Sequence, residues 1–327
     1  MLSGPGPVRN LELRHLPTPE PPPGWVRIAV RAFGLNRSEL HTRLGLAQGV
    51  TFPRVPGIEC VGVIDAAPHS DLHPGQQVAA MMGGMGRTFD GGYAEYTVVP
   101  RGQVIPFRSD LPWDVLGAVP ETLQTAYGSL TVGLDLRAGQ TLLVRGGTSS
   151  VGLAAAALGS DLGATVLSTT RRADRVDALR AHGVAHVIVD DGRVAGRVRE
   201  IVPDGVDAAI ELVGTPTLPD TLAATRVHGT VCFAGMLSDE WVVRDFYPIG
   251  YLPTGVRLTA YSGDAANLPA PVLQRYLDAI AAGTLSLGPS RVYAIDRLRD
   301  AHRDVETNAV GGKPVVLTAP HRRSELA

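Results

Sequence analysis

TLLVRGGTSSVGLAAAALG, residues 141–159, joins a short apolar run to a glycine turn and then to a small-residue apolar segment with the spacing of a buried helix. Gly146, Gly147 and Gly152 occupy a variant of the G-x-G-x-x-G fingerprint, with Gly-Gly-Thr at its first three positions. Strand, turn and helix follow one another in the order that lets backbone approach a pyrophosphate at a helix N-terminus. Gly146, Gly147, Thr148, Ser149, Ser150, Val151 and Gly152 are therefore candidate cofactor contacts. A tight strand-to-helix turn without a ligand is the alternative for the motif taken alone.

The next apolar run, ATVLSTT (164–170), ends about 20 residues beyond the glycines, where a dinucleotide-binding fold reads the adenosine ribose. An acidic residue there would accept from a free 2′-hydroxyl; this chain instead has Ser168, Thr169, Thr170, Arg171, Arg172 and Arg175. Hydroxyls and guanidinium groups donate to a doubly charged phosphate, arginine through two parallel hydrogen bonds. The expected cofactor is NADPH, held at its 2′-phosphate by Thr170, Arg171 and Arg175, with Arg171 foremost. Arg172 fits that role or the solvated face of the following helix equally well.

Outward from this block the rhythm persists. Apolar strands alternate with amphipathic segments through AHVIVD, GRVAGRVREIV, VDAAIELV, LPDTLAATR and GTVCFAG, which predicts a parallel sheet with helices on both faces. Earlier in the chain, after the polyproline-like connector PTPEPPPG (17–24), the pattern is different. WVRIAVRAF, IECVGVIDA, QQVAAM and YAEYTVV alternate apolar and polar residues between Gly and Pro, which reads as strands. From about 256 the sequence predicts a strand in VRLTAYSG, helices in PVLQRYLDAIAAG and DRLRDAHRDVET, the latter capped by Asp296, and strands in RVYAI and KPVVLT.

Composition bounds the function. A net charge of -2 over 327 residues argues against a nucleic-acid or anionic-membrane surface as the main business. Two cysteines, Cys60 and Cys232, build neither a disulfide framework nor a four-cysteine zinc site. No apolar stretch approaches the length of a membrane span or forms a signal-peptide core, so the expected address is cytoplasmic.

Taken in order, GLNRSELHTRLG (34–45), FPRVPGIECVGVI (52–64), DGGYAEY (90–96), LQTAYGSL (123–130), RGGTSSVGLAA (145–155), ELVG (211–214) and GGKPVVL (311–317) resemble the medium-chain dehydrogenase/reductase superfamily. The similarity covers nearly the whole chain and is to the zinc-independent quinone oxidoreductase branch. It implies an α/β protein with two parts. Residues 1–120 and 257–327 would form a GroES-like, partly barrelled β-rich catalytic domain, and residues 121–256 a Rossmann doubly wound parallel-sheet domain for NADP(H). It also adds Val213 and Gly235 to the cofactor contacts and implies a homodimer joined through FYPIGYLPTGVRLTAYS (246–262). Relatives usually carry a further strand ahead of the region matching NLELRHLP (10–17); here either an edge strand is lost or the start is placed late.

In metal-dependent relatives a cysteine stands where this chain has Asn36, and a histidine where it has Ile58. Neither residue replaces a thiolate or an imidazole, so no metal is expected, and His69 and His73 read as surface residues. Without a Lewis acid, hydride addition to a conjugated carbonyl is favoured over alcohol oxidation, because the product charge is already delocalised. The resemblance thus implies NADPH-dependent reduction of a quinone or an α,β-unsaturated carbonyl, a small-molecule partner. A specialised biosynthetic enoyl reductase is the same-fold variant, and a noncatalytic NADPH-binding sensor or structural protein the alternative from another class.

Three residues are the catalytic candidates. Asn36 would donate its amide to the substrate oxygen, or else stabilise a turn. His41, where quinone reductases often have tyrosine, would supply a proton, or else pack in a polar wall. Thr125 would approach the nicotinamide, or else bond within its helix. Glu59 and Arg43 read as a structural ion pair, Lys313 as a cleft residue or a solvated strand end, and Tyr93 and Tyr127 as packing residues rather than acids. MMGGMGRTFDGGY (81–93) and SDEWVVRDFYPIGY (238–251) suggest an adaptable apolar pocket.

Overall fold

The computed structural model describes residues 1–318. It divides into two compact units, residues 1–124 with 264 onward, and residues 125–263. Along the chain the first unit opens with strands β1 (Trp25–Gly34), β2 (Glu59–Ala66), β3 (Gln77–Met81), β4 (Tyr96–Pro100) and β5 (Val104–Pro106). The second unit holds β6 (Thr141–Arg145), β7 (Thr165–Thr170), β8 (His186–Val189), β9 (Val206–Glu211), β10 (Thr225–Phe233) and β11 (Arg257–Ala260). The chain then returns to the first unit for β12 (Pro289–Ala294) and β13 (Lys313–Leu317).

The first unit is a seven-stranded sheet in the order β12-β13-β1-β2-β3-β5, with β4 also paired to β1. Its pairings are antiparallel except for β12 on β13. Alternation in β1 sends Val26, Ile28 and Val30 into a core with Phe33, Cys60, Ile64, Val78, Met85, Tyr93 and Val99. Met81 and Met85 are buried. The expected pocket lining in 81–93 is therefore corrected at these two residues: Met81 ends β3 and Met85 fills the core, because their unbranched side chains fit irregular gaps.

In the second unit six parallel strands run β11-β10-β9-β6-β7-β8. That is the doubly wound order, and its direction reverses between β6 and β9, where the carboxyl ends of the strands open a ligand crevice. Leu143, Leu167, Ala209 and Val231 fill the sheet between its flanking helices. β6 is buried on both faces, as its continuous apolar sequence required.

The helix over Leu298–Glu306 has Arg297 at its N-cap position, with no side-chain cap, after a 3₁₀ turn over Ile295–Arg297, so the expected cap by Asp296 is not made. Asp296 lies inside that turn, one residue ahead of the N-cap position.

Candidate functional site

Each unit holds its own group of candidate residues, built on strand ends. In the second unit the turn after β6 starts at Gly146, whose φ of +89° favours a residue without a side chain. Gly147 donates its N–H to the Thr169 carbonyl at 3.0 Å, and Gly146 donates to Thr169 Oγ1 at 3.1 Å, so the turn is sewn to β7. A Cβ on Gly147 would lie 1.9 Å from Ser168 Oγ and 2.9 Å from the Thr169 carbonyl oxygen. Ser149 caps the helix Ser150–Asp161, accepting from the Gly152 N–H at 3.1 Å and donating to the Gly146 carbonyl at 2.8 Å. Thr148, Ser150 and Val151 stay partly exposed around this helix N-terminus. The cradle suits a phosphate group by its small residues and its helix dipole.

At the end of β7 the Thr170 hydroxyl is buried and tied to the backbone of Arg172, donating to its carbonyl at 3.1 Å. It shapes the turn. Arg171 and Arg175 are exposed beside it. Arg172 is held by Asp174, whose carboxylate it grips through Nε at 3.0 Å and Nη2 at 2.5 Å. Across the switch point, β9 ends in the buried Glu211, which accepts from the Val213 and Gly214 N–H groups and from the Thr217 and Thr221 hydroxyls. Gly235 donates to the Glu211 carbonyl at 3.1 Å, and a Cβ there would meet Leu212. Glu211 thus sets the turn carrying Val213.

A residue beneath the glycine turn was missed from sequence. Arg145 closes β6 with its side chain fully buried. It clasps Asp190 with Nε at 2.8 Å and Nη2 at 3.0 Å, and Asp220 with Nη1 at 2.6 Å. Asp220 in turn caps the helix Ala195–Ile201 by accepting from the Val194 and Ala195 N–H groups. A charged residue ending an otherwise apolar strand, directly before the glycines, was the available signal.

In the first unit, Asn36 precedes the helix Arg37–Leu44 and Glu39 answers it as a capping box, the Asn36 N–H donating to Glu39 Oε2 at 2.9 Å. Glu39 Oε1 also accepts from the Ile58 N–H at 2.9 Å. The Asn36 amide nitrogen donates to Glu59 Oε1 at 2.9 Å and to Glu39 Oε1 at 3.4 Å. Lys313, only 2% exposed, donates to Asn36 Oδ1 at 2.5 Å and pairs with Glu59 at 2.6 Å and Glu121 at 3.0 Å. Gly34 makes room for this meeting, since a Cβ there would lie 2.3 Å from Lys313 Cε and 2.5 Å from Glu59 Oε1.

Two expectations are corrected here. Glu59 pairs with Lys313 and not with Arg43; the position of Arg43 near the end of its helix carries it to Glu306 at 2.8 Å and to the Gly6 carbonyl. Lys313 is no solvated strand end. Of the other candidates, His41 is buried late in the helix Arg37–Leu44, and Thr125 is half-buried on the helix Pro120–Gly128. The buried Tyr93 ring stacks on Phe33, and its hydroxyl meets His302 Nε2 at 3.3 Å, a packing position. His69 and His73 are exposed.

Zinc does not fit the Asn36 site. The Asn36 carboxamide is engaged by Lys313 and two carboxylates, Ile58 offers no donor atom, and among the described residues no group of three His, Cys, Asp or Glu is arranged for a metal. Among the same residues no helix is long and apolar enough to cross a membrane.

A family model described as an alcohol dehydrogenase GroES-like domain matches residues 22–109, and one described as a zinc-binding dehydrogenase matches residues 182–316. A spectinabilin polyketide synthase system protein of Streptomyces orinoci is 30% identical over 97% of this chain, which spans 14% of that protein's length. A quinone oxidoreductase of Sus scrofa is 26% identical over 91% of both chains. A mycobacterial structure complexed with NADPH superposes with a TM-score of 0.84 at 25% identity, covering 97% of this chain and 98% of its own.

Proposed function

The chain belongs to the medium-chain dehydrogenase/reductase superfamily, in its quinone oxidoreductase-like branch, and from that premise we propose that it is a zinc-independent, NADPH-dependent reductase of a quinone or an α,β-unsaturated carbonyl. The observation that carries the reading is the seam between the two strand ends. The Gly146–Gly147 turn is hydrogen-bonded to Thr169, and Arg171 stands exposed two residues later, with no acidic side chain at the end of β7. A pyrophosphate on the glycine turn would therefore meet a cationic surface at its adenosine 2′-phosphate, supplied by Arg171 and Arg175. Thr170 would hold the Arg172 backbone in place for them.

When bound, NADPH would supply the hydride. The chain's own part is to orient and to stabilise: Asn36 donates to the oxygen that gains charge, His41 supplies the proton, and Thr125 seats the nicotinamide. The similarity to a polyketide synthase system protein supports placing an enoyl acceptor beside the quinone as a second reading, that of a specialised enoyl reductase. Strand β11 lies at the edge of its sheet and offers a second copy an edge to pair with.

The test is oxidation of NADPH and of NADH, in the presence of chelator, with 1,4-benzoquinone and with an unsaturated ketone. NADPH is expected to be consumed in preference. Arg171→Ala should raise its KM about tenfold and leave that for NADH nearly unchanged, since one charge-assisted hydrogen bond to phosphate is worth about 1.5–3 kcal/mol. A preference for NADH would refute the phosphate assignment. Tight NADPH binding with no turnover on either acceptor would favour the sensor.

A further inference from the structure

The Asn36 cluster is built from the ends of five segments, β1, the helix Arg37–Leu44, β2, the helix Pro120–Gly128 and β13, and it joins three carboxyl groups to one ammonium. Glu39, Glu59, Glu121 and Lys313 are all buried. All three Lys313 protons are spent, on Asn36 Oδ1, Glu59 and Glu121. That fixes the sense of the carboxamide. Turned over, it would set its NH₂ against the ammonium and its oxygen against Glu59 and Glu39.

The two amide hydrogens are then unequal. One is held by Glu59 at 2.9 Å, while the other reaches Glu39 across 3.4 Å. Glu39 has only neutral donors about it, the Asn36 and Ile58 N–H groups and this long amide contact. Three carboxylates against one ammonium in a buried site cannot all stay ionised, and the carboxyl without a cation is the one to keep a proton.

We propose that Lys313 is a positioning residue that fixes the polarity of the Asn36 amide, and that the proton on Glu39 decides whether the outer amide hydrogen is free to bond the substrate's oxygen. The inference rests on the reading of Asn36 as the donor to that oxygen. A protonated Glu39 is the weaker acceptor and yields the 3.4 Å contact; an ionised Glu39 holds it. Burial pushes the Glu39 carboxyl up to about 7, with Glu59 adding to the rise and hydrogen bonding from Ile58 and the charge of Lys313 opposing it. The titratable groups facing Glu39 from the elements around it are Glu59 on β2, Lys313 on β13 and Tyr93 from the loop between β3 and β4. Turnover should accordingly fall as pH rises through about 7.

The chain has four asparagines, Asn10, Asn36, Asn267 and Asn308, so asparagine-selective ¹⁵N labelling gives four side-chain NH₂ pairs, and Asn36→Ala identifies the relevant one. In the native chain that pair should titrate near neutral pH; in Glu39→Gln it should not move, and the fall in kcat should disappear. Lys313→Met should let the two resonances converge, and lower kcat about tenfold or more while the NADPH dissociation constant stays within about twofold. An Asn36 pair that ignores pH in an active native enzyme would overturn the proposal, even if Lys313→Met does not fold. A titrating pair in a chain that reduces no acceptor would sustain the gate and defeat the reductase reading instead.

Discussion

Arg145→Met is expected to destabilise the protein by about 3–5 kcal/mol, the range for removing one partner from a buried ion pair. The methionine replaces the aliphatic stem well enough, so the loss is electrostatic. It strands Asp190, whose side chain is 7% exposed, and removes the Arg145 charge that favours the ionised form of the buried Glu211. Burial already raises Glu211, against hydrogen bonds from Thr221 and Gly214 and the charge of Arg145. Without the arginine the Glu211 carboxyl rises further above its unfolded value. Its penalty is then absent at low pH and grows as pH rises through the folded value. The unfolding midpoint should therefore drop by roughly 4–7 °C at pH 8 and by clearly less at pH 5. Equal losses at the two pH values would show that the cavity, not the charge, sets the cost. A loss below about 1 kcal/mol would show that water replaces the guanidinium, as at an exposed pair.

The same residue illustrates how far the sequence could be read. Periodicity and glycine placement were enough for the doubly wound unit, because β6 and β7 are buried on both faces along nearly their whole length and the strands alternate with amphipathic segments. The alternating strands of the first unit were equally plain in β1, where burial follows the side-chain alternation. Contacts distant in sequence were not. Lys313 and Glu59 lie 254 positions apart by their numbering, and no local pattern joins the start of β13 to the start of β2. The Glu59–Arg43 pairing was the natural guess from charge alone, and helix direction overruled it. Glu39 carries a usable local signal: Asn followed three residues later by Glu is a capping box, and here it also delivers a carboxyl into the cluster.

His302→Phe should flatten the acid side of the stability profile. His302 is 2% exposed, packed edge-on to Tyr93, with Nε2 at 3.3 Å from that hydroxyl and Nδ1 without a hydrogen-bond partner among the described residues. Burial pushes its pKa down to about 3, and the nearby charge of Arg43 adds to the fall. A base whose pKa is depressed on folding binds its proton more readily in the unfolded chain. Its neutral form is therefore free of penalty above pH 6.5, and stability is lost as pH falls from there toward 3. Between pH 7.5 and 4.5 this one residue should remove about 2–3 kcal/mol, at 1.36 kcal/mol for each unit crossed below the unfolded value. Phenylalanine keeps the edge-on contact and leaves the Tyr93 hydroxyl without its ring-nitrogen partner, so the variant starts lower at pH 7.5 by about 1–2 kcal/mol. Urea unfolding at both pH values gives the difference directly. The native chain should lose more stability than His302→Phe over that interval, and parallel profiles would mean that the imidazole takes up its proton without unfolding, by water reaching Nδ1.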